Sequence, residues 1–137
     1  MHITLSKNEY SVLEILWDSN TPLSRPEIIE KMPDKGWNPN SIHHILNNLI
    51  KKNCIKVSGM TKCGQGYGRT YFPSLTQGEY AAMQAMQAMP NIPERKRVIQ
   101  IMSTLVCLDS VNEETLNELK QMVIERQHQI SKDNVDK

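Results

Sequence analysis

Two Ser-x-x-Glu boxes and an Asn-Pro pair punctuate the first forty residues, and together they confine this stretch to short helices. In Ser6-Lys7-Asn8-Glu9, the hydroxyl and the carboxylate can each satisfy a free backbone amide at a helix start. Val12, Leu13, Leu16 and Trp17 then recur at helical spacing until Asp18-Ser19-Asn20-Thr21-Pro22 breaks the pattern. Ser24-Arg25-Pro26-Glu27 repeats the signal with proline in the first turn, where a missing amide hydrogen costs nothing. Ile28, Ile29 and Met32 form a short apolar stripe, and Pro33 ends it. Asn38-Pro39 opens a third helix, predicted to run to about Lys52, with Asn38 as N-cap.

The third helix divides cleanly by chemistry. Ile42, Ile45, Leu46 and Leu49 share one face, and at about 100° per residue the opposite stripe is Asn40, His44, Asn47 and Lys51. Asn53 supplies a residue tolerant of left-handed backbone at the helix end. Ile55-Lys56-Val57-Ser58 alternates as a strand does, and Arg69-Thr70-Tyr71-Phe72 makes a second extended run ending at Pro73. Residues 59–68 hold four of the chain's six glycines, which predicts a long, mobile hairpin tip bearing Lys62 and Tyr67. Three short helices followed by a hairpin describe a mainly α winged helix-turn-helix. In that arrangement the third helix enters the major groove and the hairpin reaches backbone or minor groove.

Charge distribution points the same way. Between Asp34 and Glu79 there is no carboxylate, whereas Lys35, Lys51, Lys52, Lys56, Lys62 and Arg69 lie there with His43 and His44. Residues 1–75 carry nine Lys/Arg against six Asp/Glu, and residues 76–137 carry seven against nine, so the overall charge of +1 conceals an asymmetry. A surface without negative charge approaches phosphates unopposed, and neutralising them releases condensed counterions. Asn is an unusual choice for a merely solvated helix face, and its amide can bracket the major-groove edge of adenine. The base-reading candidates are therefore Asn40, Ser41, His43, His44 and Asn47. The backbone candidates are Asn48, Lys51, Lys52, Lys56, Lys62 and Arg69.

Beyond Leu75 the composition changes. Thr76-Gln77-Gly78-Glu79 opens an Ala- and Met-rich helix in which Met83, Met86 and Met89 repeat every third residue. A next helix from about Glu94 carries Val98, Ile101, Met102 and Leu105, with Ile99 and Val106 widening the stripe. Ser110-Val111-Asn112-Glu113 reads as another capping box, followed by Leu116, Leu119, Val123 and Ile130 on a helix to about residue 130, with a frayed tail at 131–137. These helices have more apolar face than they can bury alone, which predicts packing against a second copy. The division expected is residues 1–75 for DNA binding and 76–137 for dimerisation, with Met83, Met86, Val98, Ile101, Met102, Leu105, Leu116, Leu119 and Val123 at the dimer interface.

Other functions find little support. No apolar run approaches the roughly 20 residues of a membrane helix, and the N-terminus lacks the order of a secretion signal, so a cytoplasmic location is expected. Cys54, Cys63 and Cys107 are odd in number and widely spaced, which suits reduced thiols, with Cys54 and Cys107 expected in the core. His43, His44, Cys54 and Cys63 are all zinc-ligand types, but adjacent helical histidines diverge and neither thiol has a second cysteine nearby, so neither metal nor cofactor is expected. Gly64, Gly66 and Gly68 do not complete a phosphate-binding glycine motif, and no nucleophile elbow or paired-carboxylate setting suggests an enzyme. Two other functions use the same elements: a winged helix acting as a protein scaffold, and a regulator sensing thiols or small ligands through Cys63 or an interface pocket.

The segments Leu5–Trp17 and Trp37–Ile42, with the Tyr71-Phe72-Pro73 end of the hairpin, strongly resemble the penicillinase repressors and their copper-responsive cousins. The resemblance spans nearly the whole chain and is strongest over residues 5–75. It implies a dimeric winged-helix repressor of a palindromic operator, dimerising through its C-terminal helices. It also implies cleavage in that region triggered by a membrane-bound β-lactam sensor protease, the cut pair aligning with Thr104-Leu105. Relatives tend to carry Arg where this chain has Asn48, their hairpin loop is shorter and poorer in glycine, and the copper branch's C-terminal Cys-x-Cys pairs are absent here.

Overall fold

The computed structural model describes residues 3–32 and 38–136; Pro33, Lys35 and Trp37, singled out above, lie outside the described residues. The chain forms two compact units, Met1–Ala88 and Met89–Lys137. Among the described residues no helix is long and apolar enough to cross a membrane.

The first unit is a winged helix. Helix α1 (Lys7–Asp18) starts at a complete capping box: the Ser6 amide donates to Glu9 Oε1 at 2.7 Å, and the Glu9 amide donates to Ser6 Oγ at 3.2 Å. A two-residue strand β1 (Leu23–Ser24) leads into α2 (Arg25–Lys31). There both the Ser24 amide and the Ser24 hydroxyl donate to Glu27 Oε1, at 3.0 and 2.8 Å. The third helix begins with a 3-10 turn at Pro39–Ser41 before α3 proper (Ile42–Lys51), and Asn38 caps that turn by accepting from the Asn40 amide at 2.9 Å.

Helix α3 ends in a Schellman arrangement. The Cys54 amide bonds to the Leu49 carbonyl and the Asn53 amide to the Ile50 carbonyl, with Asn53 at φ 60° as its position demands. All four apolar residues expected on the inner face of α3 are buried, against Val12, Leu13, Leu16, Leu23, Ile28 and Tyr71. Cys54 is a buried core residue, as expected.

Glu9 is nearly sealed at 4% exposure and does more than cap α1. Lys52 Nζ at the end of α3 approaches its Oε1 to 2.7 Å and the Thr4 carbonyl to 2.8 Å, tying α3 to the start of the domain. Burial pushes the Glu9 carboxyl up, but the Lys52 hydrogen bond, the Ser6 amide, the Lys52 charge and the Ser6 hydroxyl together hold it below its ordinary value of 4.5. A lowered carboxylate value means that its stabilisation is complete above about pH 4.5 and is lost as pH falls through the folded-state value. Glu27 moves in the same direction through Ser24, so part of the acid sensitivity belongs to it. Glu9→Gln should therefore flatten part of the stability loss expected on acidification, and Glu9→Ala should cost about 1–2 kcal/mol at neutral pH. Thermal unfolding across pH measures both; identical acid profiles for wild type and Glu9→Gln would remove Glu9 from this role.

The hairpin departs from expectation. Strands β2 (Ile55–Cys63) and β3 (Gly66–Pro73) stay paired antiparallel to Cys63↔Gly66, leaving only Gly64-Gln65 as the turn, so the predicted long loop over 59–68 is a regular two-stranded wing. Gly64 sits at φ +61° in the first central position, where the hairpin's twist requires positive φ. Gly59, Gly66 and Gly68 lie in paired strands, so their composition suggested a loop where the ladder continues. Ser58 is the extra residue of a bulge between Val57 and Gly59. β3 also pairs with β1 through Leu23↔Tyr71 and Ser24↔Thr70, completing a three-stranded sheet in the order β1-β3-β2.

Helix α4 (Gln77–Gln87) completes the first unit, its start capped by reciprocal bonds between Thr76 and Glu79. Tyr80 packs at a tilt against Tyr10 and Trp17, ring centroids 5.6 and 5.8 Å away, while Trp17 Nε1 donates to the Leu75 carbonyl at 2.9 Å. Gln84 also donates to the Ile3 carbonyl, and Met83 packs on the core.

The second unit contains α5 (Glu94–Leu105) and α6 (Glu113–Val135). The start of α6 corrects the expected Ser110–Glu113 box: Asn112 is the N-cap, accepting from the Thr115 amide at 2.9 Å. The helix also continues through 131–135, where fraying was expected. Cys107 is exposed, not in a core, and neither helix has a buried residue.

Candidate nucleic-acid interface

Because α3 buries its whole apolar face, its polar residues have nowhere to go but outward. Asn40, His43, His44, Asn47 and Lys51 are exposed, and Ser41 and Asn48 are half-buried. Ser41 also stands at the start of α3, whose free amides and dipole favour an anion. The ridge is partly ordered by its own contacts: His44 Nε2 and Asn48 Nδ2 are 3.3 Å apart.

The wing extends the same surface. Register places Lys62 opposite Tyr67 and Met60 opposite Arg69, so these four share one face of the hairpin. Met60 and Tyr67 are 62% and 75% exposed, too much for a supporting role in the core. Lys56, Lys62 and Arg69 are exposed. Lys52 differs from its neighbours: its ammonium is engaged by Glu9 and the Thr4 carbonyl, with the side chain 36% exposed.

Between α3 and the wing lies a recess of about 580 Å³, whose walls include Arg25, His43, Asn47, Cys63, Tyr67 and Arg69 and, among the described residues, no carboxylate. Cys63 is half-buried there. Arg25 was not among the candidates read from the sequence, where its place in the Ser24–Glu27 box accounted for it. Its guanidinium crosses from the start of α2 to α3 and lies 3.1 Å from His43 Nδ1. Among the described residues no group of three or more His, Cys, Asp or Glu side chains is placed to hold a metal ion.

The dimerisation candidates fall into two sets. Met83 and Met86 are half-buried in the first unit. In the second unit Val98, Met102, Leu105, Leu116 and Val123 are 43–56% exposed, and Ile101 and Leu119 are half-buried. Thr104 and Leu105, the pair aligned with a cleavage site, occupy the last turn of α5 with both side chains exposed.

No curated protein matches this chain. Among solved structures, one of the Helicobacter pylori ferric uptake regulator Fur, described with three functional metal-binding sites, is 30% identical. The match covers 52% of this chain and 47% of that one, with a TM-score of 0.40, so the chain spans about half the length of Fur. A mutant of S. aureus MepR is 15% identical, covering 92% of this chain and 80% of that one at a TM-score of 0.41. The family described as penicillinase repressor matches residues 5–125, a span that takes in α3, the wing and both helices of the second unit as far as Glu125. The chain belongs to the penicillinase repressor family.

Proposed function

We propose that this chain represses transcription by binding a palindromic operator as a homodimer. Residues 1–75 would read one half-site, and residues 76–137 would hold two such domains at the spacing the operator sets. Family membership makes it a DNA-binding transcriptional regulator, a class without catalysis of its own. One observation supports the finer reading above others: α3 buries every apolar residue it was expected to bury and leaves an amide-and-imidazole ridge exposed beside a wing with no carboxylate. In the major groove that ridge meets base edges, with Asn40, His43, His44 and Asn47 as readers. Lys51, Lys56, Lys62 and Arg69 set affinity through phosphates.

Dimerisation is supported by the second unit. Helices α5 and α6 contain no buried side chain, yet Val98, Met102, Leu105, Leu116 and Val123 stand 43–56% exposed. A unit of this size without a core is not stable in water alone, and a second copy supplies an equally apolar surface under two-fold symmetry. Release by a membrane-bound sensor protease cutting at Thr104-Leu105 belongs to the same proposal. The bond lies in the last turn of α5, so cleavage requires local unwinding there.

Titration against random duplex DNA at two salt concentrations tests the reading. A salt-sensitive complex supports it; no binding at either concentration would favour a protein-docking scaffold.

A further inference from the structure

His43 and Arg25 meet in a way that fixes more than position. Arg25 Nη1 lies 3.1 Å from His43 Nδ1. A guanidinium only donates, so the ring nitrogen facing it must accept. That leaves Nδ1 without a proton and places the single imidazole proton on Nε2. The neighbouring contact imposes no such choice: Asn48 can turn either its NH₂ or its carbonyl oxygen toward His44 Nε2, 3.3 Å away, by rotating its amide. Of the two histidines on the ridge, only His43 is held in one tautomer by a partner that cannot reverse its role.

We propose that Arg25 is a positioning residue for base recognition, holding His43 as the Nε2–H tautomer so that it presents a donor to the DNA. This rests on the DNA-reading proposal above. In the major groove guanine offers N7 and O6, thymine O4 and adenine N7 as acceptors, while cytosine offers the N4 amino donor. An Nε2–H donor therefore favours an acceptor base at the position it faces and rejects cytosine, which would leave two donors opposed. A His43 freed from Arg25 can also adopt the Nδ1–H form, which weakens this discrimination. Arg25 retains further N–H groups for phosphate, so its removal also weakens binding to all DNA, and only the ratio between duplexes isolates the positioning role.

The test combines a spectrum of the free protein with binding to selected DNA. Long-range ¹H–¹⁵N correlation spectra of the full chain, with His43 identified by its loss in His43→Ala, should show the Nε2–H pattern in wild type and in Arg25→Lys, and a mixture in Arg25→Ala. A consensus selected by wild type from a duplex library with a randomised core supplies the DNA probe. The position facing His43 is the one whose preference His43→Ala abolishes. There, wild type and Arg25→Lys should prefer an acceptor base over cytosine by about five- to tenfold, and Arg25→Ala should lower that ratio. An Nδ1–H pattern in wild type would overturn the proposal. So would Arg25→Ala weakening every duplex equally with the base ratio intact, since Arg25 would then be a phosphate contact alone. Failure of the DNA-reading proposal has a different signature: wild type recovers no consensus from the library, whichever tautomer the spectrum shows.

Discussion

Raising salt from 50 to 200 mM should weaken binding of the full chain to duplex DNA by about 10³- to 10⁵-fold. The magnitude follows from a dimer neutralising roughly six to ten phosphates, each returning condensed counterions to solution. The cations available are Arg25, Lys51, Lys56, Lys62 and Arg69, half-buried or exposed around α3 and the wing, and a dimer doubles the set. Lys52 is left out because it is bonded to Glu9 and Thr4. Most of these groups lie in the sequence interval without a carboxylate, so little self-repulsion opposes the approach of DNA. Plotting log affinity against log salt gives the phosphate count directly. A slope near zero would mean that this surface does not face a polyanion.

Leu105→Glu combined with Leu116→Glu should convert the proposed dimer to monomer and reduce affinity for a two-half-site duplex by about 10²- to 10⁴-fold. The loss is one of linkage: with one domain bound, the other is held at high effective concentration over its half-site only while the interface persists. Both leucines are 45% and 43% exposed in the single chain, so a carboxylate there enters water and breaks no protomer core. Placed across a two-fold axis it would bury like charges against an apolar face. Sedimentation gives the oligomeric state, and the unfolding transition of the winged-helix unit should be unchanged. A double variant that still sediments as a dimer would place the interface elsewhere.

Much of the fold was legible because its helix boundaries are written in side-chain hydrogen bonds. Ser6–Glu9 and Asn38 cap as their residue types demand, and Asn53 takes the left-handed backbone expected of it. The inner face of α3 was equally readable, since helical spacing determines which residues share a side. The wing was not. Glycine marks loops only statistically, and here Gly59, Gly66 and Gly68 sit within strands whose pairing comes from the opposite chain segment, a tertiary fact. β1, with two residues, is too short to leave any pattern. At the start of α6 Ser110 and Asn112 compete as caps, and Asn112 wins by reaching the Thr115 amide.

The site was legible in residue type and less so in allegiance. Nothing in the sequence near Lys52 shows that Glu9, far away in the chain, accepts from it. Arg25 was hidden by a different route: its neighbours explained a helix start so well that its own side chain received no further role. The signal that could have revealed it is its position at the first turn of the second helix, beside the third in any helix-turn-helix.

The ratio of affinities for a selected operator and for random duplex, measured for Asn40→Ala, His44→Ala and Lys62→Ala, tests most directly whether the α3 ridge reads bases. The first two should lose about 1–3 kcal/mol of operator preference with little change on random DNA, while Lys62→Ala should weaken both alike. If all three variants lose equally on both kinds of DNA, the ridge lies outside the major groove and the account fails.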